Sequence, residues 1–387
     1  GIDKIGFATS QYVLKLQDLA EARGVDPEKF SKGLLLNEIS IAPLTEDIVT
    51  LAASASNSIL TDKEKEEIDM VIVATESGID QSKAAAVFVH GLLGIQPFAR
   101  SFEIKEACYG ATAALHYAKL HVENSPKSKV LVIASDIAKY GVAAPGEPTQ
   151  GAGSVAMLIT QNPRTMAFNN DNVAQTRDIM DFWRPNYSST PYVNGMYSTQ
   201  QYLDCLTTTW DEYKKRYDWT MGDFAAICFH LPYPKLALKG LRKMMDKTLS
   251  KEKQDSLQEN FDKSILYSQM IGNIYTGSLF LGLLSLLENA ENLKAGDKIV
   301  LYSYGSGAVS EFFSGELVEG YEAYLDKERL SKLKQRTALS VADYEKVFFE
   351  EVELDESGSA QFAGFENQDY ALVEIVDHQR RYSKVEK

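Results

Sequence analysis

Residues 103–124 read EIKEACYGATAALHYAKLHVEN. The opening of this stretch continues a strand-like segment, ARSFEI. From Ala111 onward the small and apolar residues Ala111, Ala114, Leu115, Ala118 and Val122 fall on one helical stripe. A strand therefore passes into a helix, with Cys108 at the junction and its sulfur near the helix N-terminus. The helix dipole and unpaired N–H groups there favour a thiolate, which predicts a pKa below the roughly 8.5 of a free thiol.

The same alternation extends in both directions. Apolar, β-branched runs at residues 70–74, 130–135, 154–159, 225–229 and 299–304 read as buried strands, and helical patterns lie between them. Ile48, Leu51, Ala52, Ala55 and Ile59 recur at helical spacing behind Thr45, the expected N-cap. A further helix is expected over 276–289. Strands covered on both faces by helices make this an α/β protein. Residues 162–218, rich in Tyr, Trp, Asn and Ser, read as an elaborate loop region over a site. Nearer the end, VADYEKVFFEEVEL reads as a helix and YALVEIV as a strand.

The order of parts repeats. Strand VIVATES, helix start CYGATAAL, strand VLVIASD and glycine-rich GAGSVAML are followed later by AICFHLP, NIYTGSLFLGL, IVLYSYG and GSGAVSEF. This predicts two related halves, residues 1–165 and 166–387. Glu76 then corresponds to His230 and Cys108 to Asn273, and the four converge between the halves.

A chain of 387 residues with 44% hydrophobic content can bury one large core or two ordinary ones. Its net charge of −14 argues against nucleic-acid partners and anionic membranes. The apolar run from Leu279 to Leu287 is too short to cross a bilayer. No secretory pattern is visible at the start, so a cytoplasmic protein is expected. Cys108, Cys205 and Cys228 suit neither a disulfide framework nor a metal ribbon and are expected to be free thiols. Cys228 lies in an apolar strand and Cys205 in an amphipathic stretch, so both read as structural. HExxH, P-loop and first-strand GxGxxG motifs are missing.

His230 ends the strand AAICFH, on the rim where open α/β sheets hold ligands. Glu76 directly follows VIVAT, and burial there would raise its pKa toward that of a useful base. Lys235, Lys239, Arg242 and Lys243 form a basic cluster that could meet phosphates.

VIVATES, KEACYGAT, GEPTQGAG, DFWRP, CFHLPY, GNIYTGS and YGSG occur in the order seen in bacterial 3-hydroxy-3-methylglutaryl-CoA synthases. By these motifs the chain resembles that family, part of the thiolase-like superfamily. The resemblance implies a five-layered αβαβα fold, a homodimer, and acetyl-CoA and acetoacetyl-CoA as substrates, with no metal or redox cofactor. It also implies roles for single residues. Cys108 carries an acetyl thioester, Glu76 removes a methyl proton, and His230 orients acetoacetyl-CoA and exchanges the proton at its ketone oxygen. Asn273 and Ser306 contact the acyl portion, Tyr140 and residues 181–183 wall its pocket, and Asp26, Thr149, Ser198 and Lys239 serve the CoA moieties. A β-ketoacyl-acyl-carrier-protein synthase would share the cysteine, histidine and asparagine but needs no base such as Glu76. A catalytically silent binding subunit would have lost one of the three reactive residues, and a cysteine hydrolase would not require the duplicated halves.

Overall fold

The apolar segments form ten strands of one mixed sheet: β1 (Ile2–Ala8), β2 (Ile68–Ala74), β3 (Arg100–Ile104), β4 (Lys129–Ala138), β5 (Gly151–Ile159), β6 (Met166–Phe168), β7 (Val173–Thr176), β8 (Ala226–Phe229), β9 (Lys298–Gly305) and β10 (Val309–Leu317). These come from a computed structural model that describes residues 1–386. Each of the five expected strands is present. The helices that accompany them include α1 (Ile48–Asn57), α2 (Ala85–Leu93), α3 (Gly110–Asn124), α4 (Gly195–Tyr217), α5 (Pro234–Met244), α6 (Lys251–Ser264) and α7 (Ser278–Asn289).

The strand order is β8-β9-β10-β6-β1-β5-β4-β2-β3, with β7 also paired to β10. Strands β2, β3 and β4 run parallel, and β5 runs against both β4 and β1. On the other side β8 and β9 are parallel, and β10 runs against β9, β6 and β7. The two groups join through the single pair Ile2–Met166.

Side-chain alternation assigns the strands to different cores. Met70, Ile72 and Ala74 of β2 point into the same apolar layer as Ala226 and Cys228 of β8 and Ile299 and Leu301 of β9, with α3 and α7 filling the space between. Val71 and Val73 face the opposite way, against α1 and α2. Ile227, Phe229, Val300 and Tyr302 face α4 and α5. Helix α7 is buried along nearly its whole length because sheet strands of both groups cover it.

Three expectations change. Asp47, not Thr45, caps α1: its carboxylate accepts from the Val49 and Thr50 amides at 2.9 and 3.2 Å, while Thr45 Oγ1 accepts from Gln368 at 2.7 Å. Residues 162–218 are not mainly loop. They contain β6, β7, a small hairpin of Phe182–Trp183 with Tyr192–Val193, and the 23-residue α4. The expected helix over 276–289 starts instead with a 3-10 turn, Tyr275–Gly277, ahead of α7. The terminal helix and strand are found at Val341–Phe349 and Tyr370–Val376. No helix among the described residues is long and apolar enough to cross a membrane.

Asp47 also accepts from Tyr382 Oη at 2.6 Å, so it ties α1 to the final hairpin. Losing a helix cap together with buried hydrogen bonds sets the expected effect of Asp47→Ala at about 1–3 kcal/mol of stability. Urea unfolding followed by circular dichroism measures it, and an unchanged midpoint would remove Asp47 from this role.

Candidate active site

Parallel β2 and β3 end on the same edge of the sheet, and the chain beyond each carries a reactive group. Glu76 stands two residues past β2 and Cys108 four past β3. The Cys108 thiol donates to Glu76 Oε1 at 3.1 Å. Ala107, immediately before the cysteine, takes a left-handed φ of 41° to make the turn. The turn is held from the other group of strands. A Cβ at Gly305 would lie 2.6 Å from Tyr109 Cβ and 2.7 Å from Glu106 O, so only glycine lets the end of β9 approach so closely. Tyr109 Oη donates to Glu311 of β10 at 2.6 Å.

Beneath Glu76 lies Asp136 of β4, fully buried. One of its oxygens accepts from Thr75 Oγ1 at 2.8 Å, the Glu76 amide at 2.9 Å and Ser77 Oγ at 2.8 Å. The other accepts from the amide and hydroxyl of Thr276, at the start of the turn before α7. Sequence reading overlooks Asp136, although an acid closing the apolar run VLVIASD is a visible anomaly.

His230 follows β8 directly and Ser306 follows β9, so these parallel neighbours deliver both residues to one edge. The His230 carbonyl accepts from Tyr202 Oη at 2.9 Å, and its amide donates to Tyr302 O at 2.8 Å. Its ring is buried, with Nδ1 lacking a partner. Asn273 donates through Nδ2 to Tyr140 Oη at 2.9 Å and accepts at Oδ1 from the Tyr275 amide and Ser278 Oγ. The Tyr140 ring meets the rings of Tyr275 and Phe182 edge-on, at 5.9 and 6.0 Å between centroids. Asp181 accepts from Tyr304 Oη at 2.7 Å and from the Gly307 amide at 2.9 Å, joining this wall to the Ser306 loop.

The residues expected to serve CoA are more scattered. Thr149 is adjacent to the site, since its carbonyl accepts from the Asn273 amide at 3.0 Å. Ser198 sits in the first turn of α4, and Lys239 is exposed on α5 with Arg242 and Lys243. Asp26 is exposed and accepts from the Glu28 amide at 2.9 Å. It makes no hydrogen bond to the cysteine's surroundings, although nearby Arg23 binds Glu147 in the turn bearing Thr149.

Electrostatics correct one expectation. Burial, and next the Glu76 carboxylate, push the Cys108 thiol up rather than down. The helix terminus is outweighed because two negative charges 3.1 Å apart in a poorly solvated site repel more strongly than the dipole attracts. Burial and Asp136 raise Glu76 to about 8. Burial lowers His230 to about 3, leaving its imidazole neutral at pH 7. Cys205 and Cys228 are buried and raised by burial, as suits structural thiols.

A model of the hydroxymethylglutaryl-coenzyme A synthase N-terminal region matches residues 1–164, and one of its C-terminal region matches 173–263 and 242–384. The chain belongs to the hydroxymethylglutaryl-CoA synthase family. Within this family it is 54% identical over 357 residues to the synthase of Enterococcus faecalis, covering 92% of this chain and 93% of that one. It is 32% identical over 371 residues to the polyketide 3-hydroxy-3-methylglutaryl-ACP synthase PksG of Bacillus subtilis, covering 90% and 87%. The crystal structure of an HMG-CoA synthase complexed with CoA superposes with a TM-score of 0.98 at 67% identity, over 100% of this chain and 99% of that one. The fold is therefore the mixed α/β, thiolase-like fold of these synthases.

Glu76 leaves a mark on stability. An unfolded chain releases this proton near 4.5, whereas the folded protein holds it to about 8. Between those values the folded state binds more protons, so its stability falls as pH rises. Glu76→Gln removes that loss. Relative to the parent, the variant is expected to gain stability from about pH 5 to about pH 8 in urea titrations, and a constant difference would contradict the raised pKa.

Proposed function

We propose that the chain condenses acetyl-CoA with acetoacetyl-CoA and water to give 3-hydroxy-3-methylglutaryl-CoA and CoA, a step of the mevalonate route to isoprenoids. The observation that carries this reading is the direct contact between the Cys108 thiol and the Glu76 carboxyl. A thiol alone could accept an acyl group. A carboxylate of raised pKa beside it is what removal of a proton from the attached acetyl group requires.

Cys108 loses its proton as sulfur attacks the acetyl-CoA carbonyl, and that proton leaves on the departing CoA sulfur, so CoA goes as the thiol. The thioester makes the neighbouring methyl more acidic, and attachment holds it beside its base. Glu76, as carboxylate, takes a methyl proton, and the enolate carbon bonds to the ketone carbon of acetoacetyl-CoA. Neutral His230 orients that ketone and exchanges the proton at its oxygen. Donors near Cys108 and Ser306 hold the enolate oxygen. Water then cleaves the remaining enzyme thioester and restores the thiol.

Tyr140, with Asn273 on its hydroxyl, and Phe182 wall the acyl pocket in this reading. Asp26, Thr149, Ser198 and Lys239 contact CoA, and the link from Thr149 to Asn273 supports the second of these. With β7 set aside, since it pairs only with β10, the two strand groups follow one scheme in chain order: first, last, next-to-last, second, and β3 has no counterpart in the second group. That match supports two repeated halves, divided near residues 165 and 166 and stacked as five αβαβα layers. Strand β3 is a free edge, and Phe98, Tyr117 and Leu120 near it are exposed at 91%, 48% and 46%, which supports a homodimer formed there. Three free cysteines fit a reducing cytoplasm.

The test combines acetyl-CoA and acetoacetyl-CoA, reads CoA thiol release and identifies the product by mass. Cys108→Ala is expected to take no acetyl label. Glu76→Ala is expected to be labelled on Cys108 yet to condense at least about 100-fold more slowly. A parent protein that takes no label from acetyl-CoA would sink the reading.

A further inference from the structure

The small hairpin of Phe182–Trp183 with Tyr192–Val193 does more than wall a pocket. Three residues in and beside its first strand touch both strand groups. Asp181 holds Tyr304 and the Gly307 amide on the β9–β10 side, Phe182 packs on Tyr140 and Tyr275, and Arg184 donates from Nη2 to the carbonyl of Glu76. The Trp183 and Tyr192 rings stack across the hairpin at 5.7 Å, stiffening the arm that carries the guanidinium.

The surroundings of the Glu76 carboxyl are otherwise unfavourable to its ionised form. Burial acts against it most, and the acidic Asp136 from β4 and, least, Glu106 from the nucleophile turn add to that effect. The Tyr140 and Tyr275 hydroxyls lie close enough to feel its charge, and the Cys108 thiol donates to it. Against these, Arg184 brings a positive charge from an element outside the sheet.

We propose that Arg184 is a positioning residue for Glu76, holding the main chain at the base and favouring the carboxylate that takes the methyl proton. The role rests on the condensation described above and acts on its second half. Acetyl transfer to Cys108 and carbon–carbon bond formation therefore respond differently to its loss. A residue that merely pinned the hairpin would alter both rates without moving their pH dependence. A charge acting on the base moves the acid limb of condensation.

The measurement follows acetyl labelling of Cys108 and product formation from about pH 6 to about pH 10 in the parent, Arg184→Met, Arg184→Gln and Arg184→Lys. The two neutral variants are expected to be labelled within about threefold of the parent, while their acid limb moves up by about one unit and condensation at pH 7 falls about tenfold. Arg184→Lys, which keeps the charge, is expected to hold the limb near the parent's position. Labelling reports that the site is folded, and the use of two neutral side chains guards against failure of either one. An acid limb that stays in place in both neutral variants overturns the proposal, as does equal loss of labelling and condensation. Absence of labelling in the parent overturns the condensation reading as well.

Discussion

A buried carboxylate must find donors or lose its charge, and the site is organised around one that finds six. Asp136 accepts from the hydroxyls of Thr75, Ser77 and Thr276 and from the amides of Glu76, Ser77 and Thr276. Taking such an ion out of water costs several kcal/mol unless hydrogen bonds replace its hydration. The donors come from the segment after β2 and from the turn before α7, so satisfying one charge fixes the segment bearing Glu76 against that turn. Burial, and next this same carboxylate, raise the pKa of Glu76. Assembly of the site and basicity of its carboxylate thus share a cause.

The parts of the fold legible in the sequence were those in which burial leaves a strong period. Strands covered on both faces must be apolar through their middles, and β2, β4, β5, β8 and β9 are, with Asp136 near the end of β4 as the exception. Helix α4 was hidden by its polar composition, although Tyr202, Cys205, Leu206, Thr209, Trp210 and Tyr213 form a buried stripe at helical spacing. Its stripe uses tyrosine, threonine and tryptophan where aliphatic residues are the usual signal. Thr45 was expected as the cap of α1, and the contact with Tyr382 that accompanies Asp47 in that place comes from more than three hundred residues away.

In the site, strand ends marked Glu76 and His230, and a strand-to-helix junction marked Cys108. Their charge states were less legible. A helix terminus contributes about 0.3–1 kcal/mol, and a neighbouring carboxylate with desolvation exceeds it at Cys108. Asp136 and Arg184 escaped because their meaning lies in partners 60 and 108 positions away along the chain. Sequence pattern reports periodicity within an element far better than such pairings.

The apolar layer around α3 and α7 receives side chains from β2 and β4 on one side and from β8 and β9 on the other. Cutting the chain between the two strand groups would expose that layer on both fragments, whatever secondary structure each could form. Neither piece could then be exchanged for a foreign counterpart unless the facing surface were rebuilt with it. Substitutions on the two sides of this layer are therefore tied together, and the chain varies as a single unit even where its strand order suggests a doubled one.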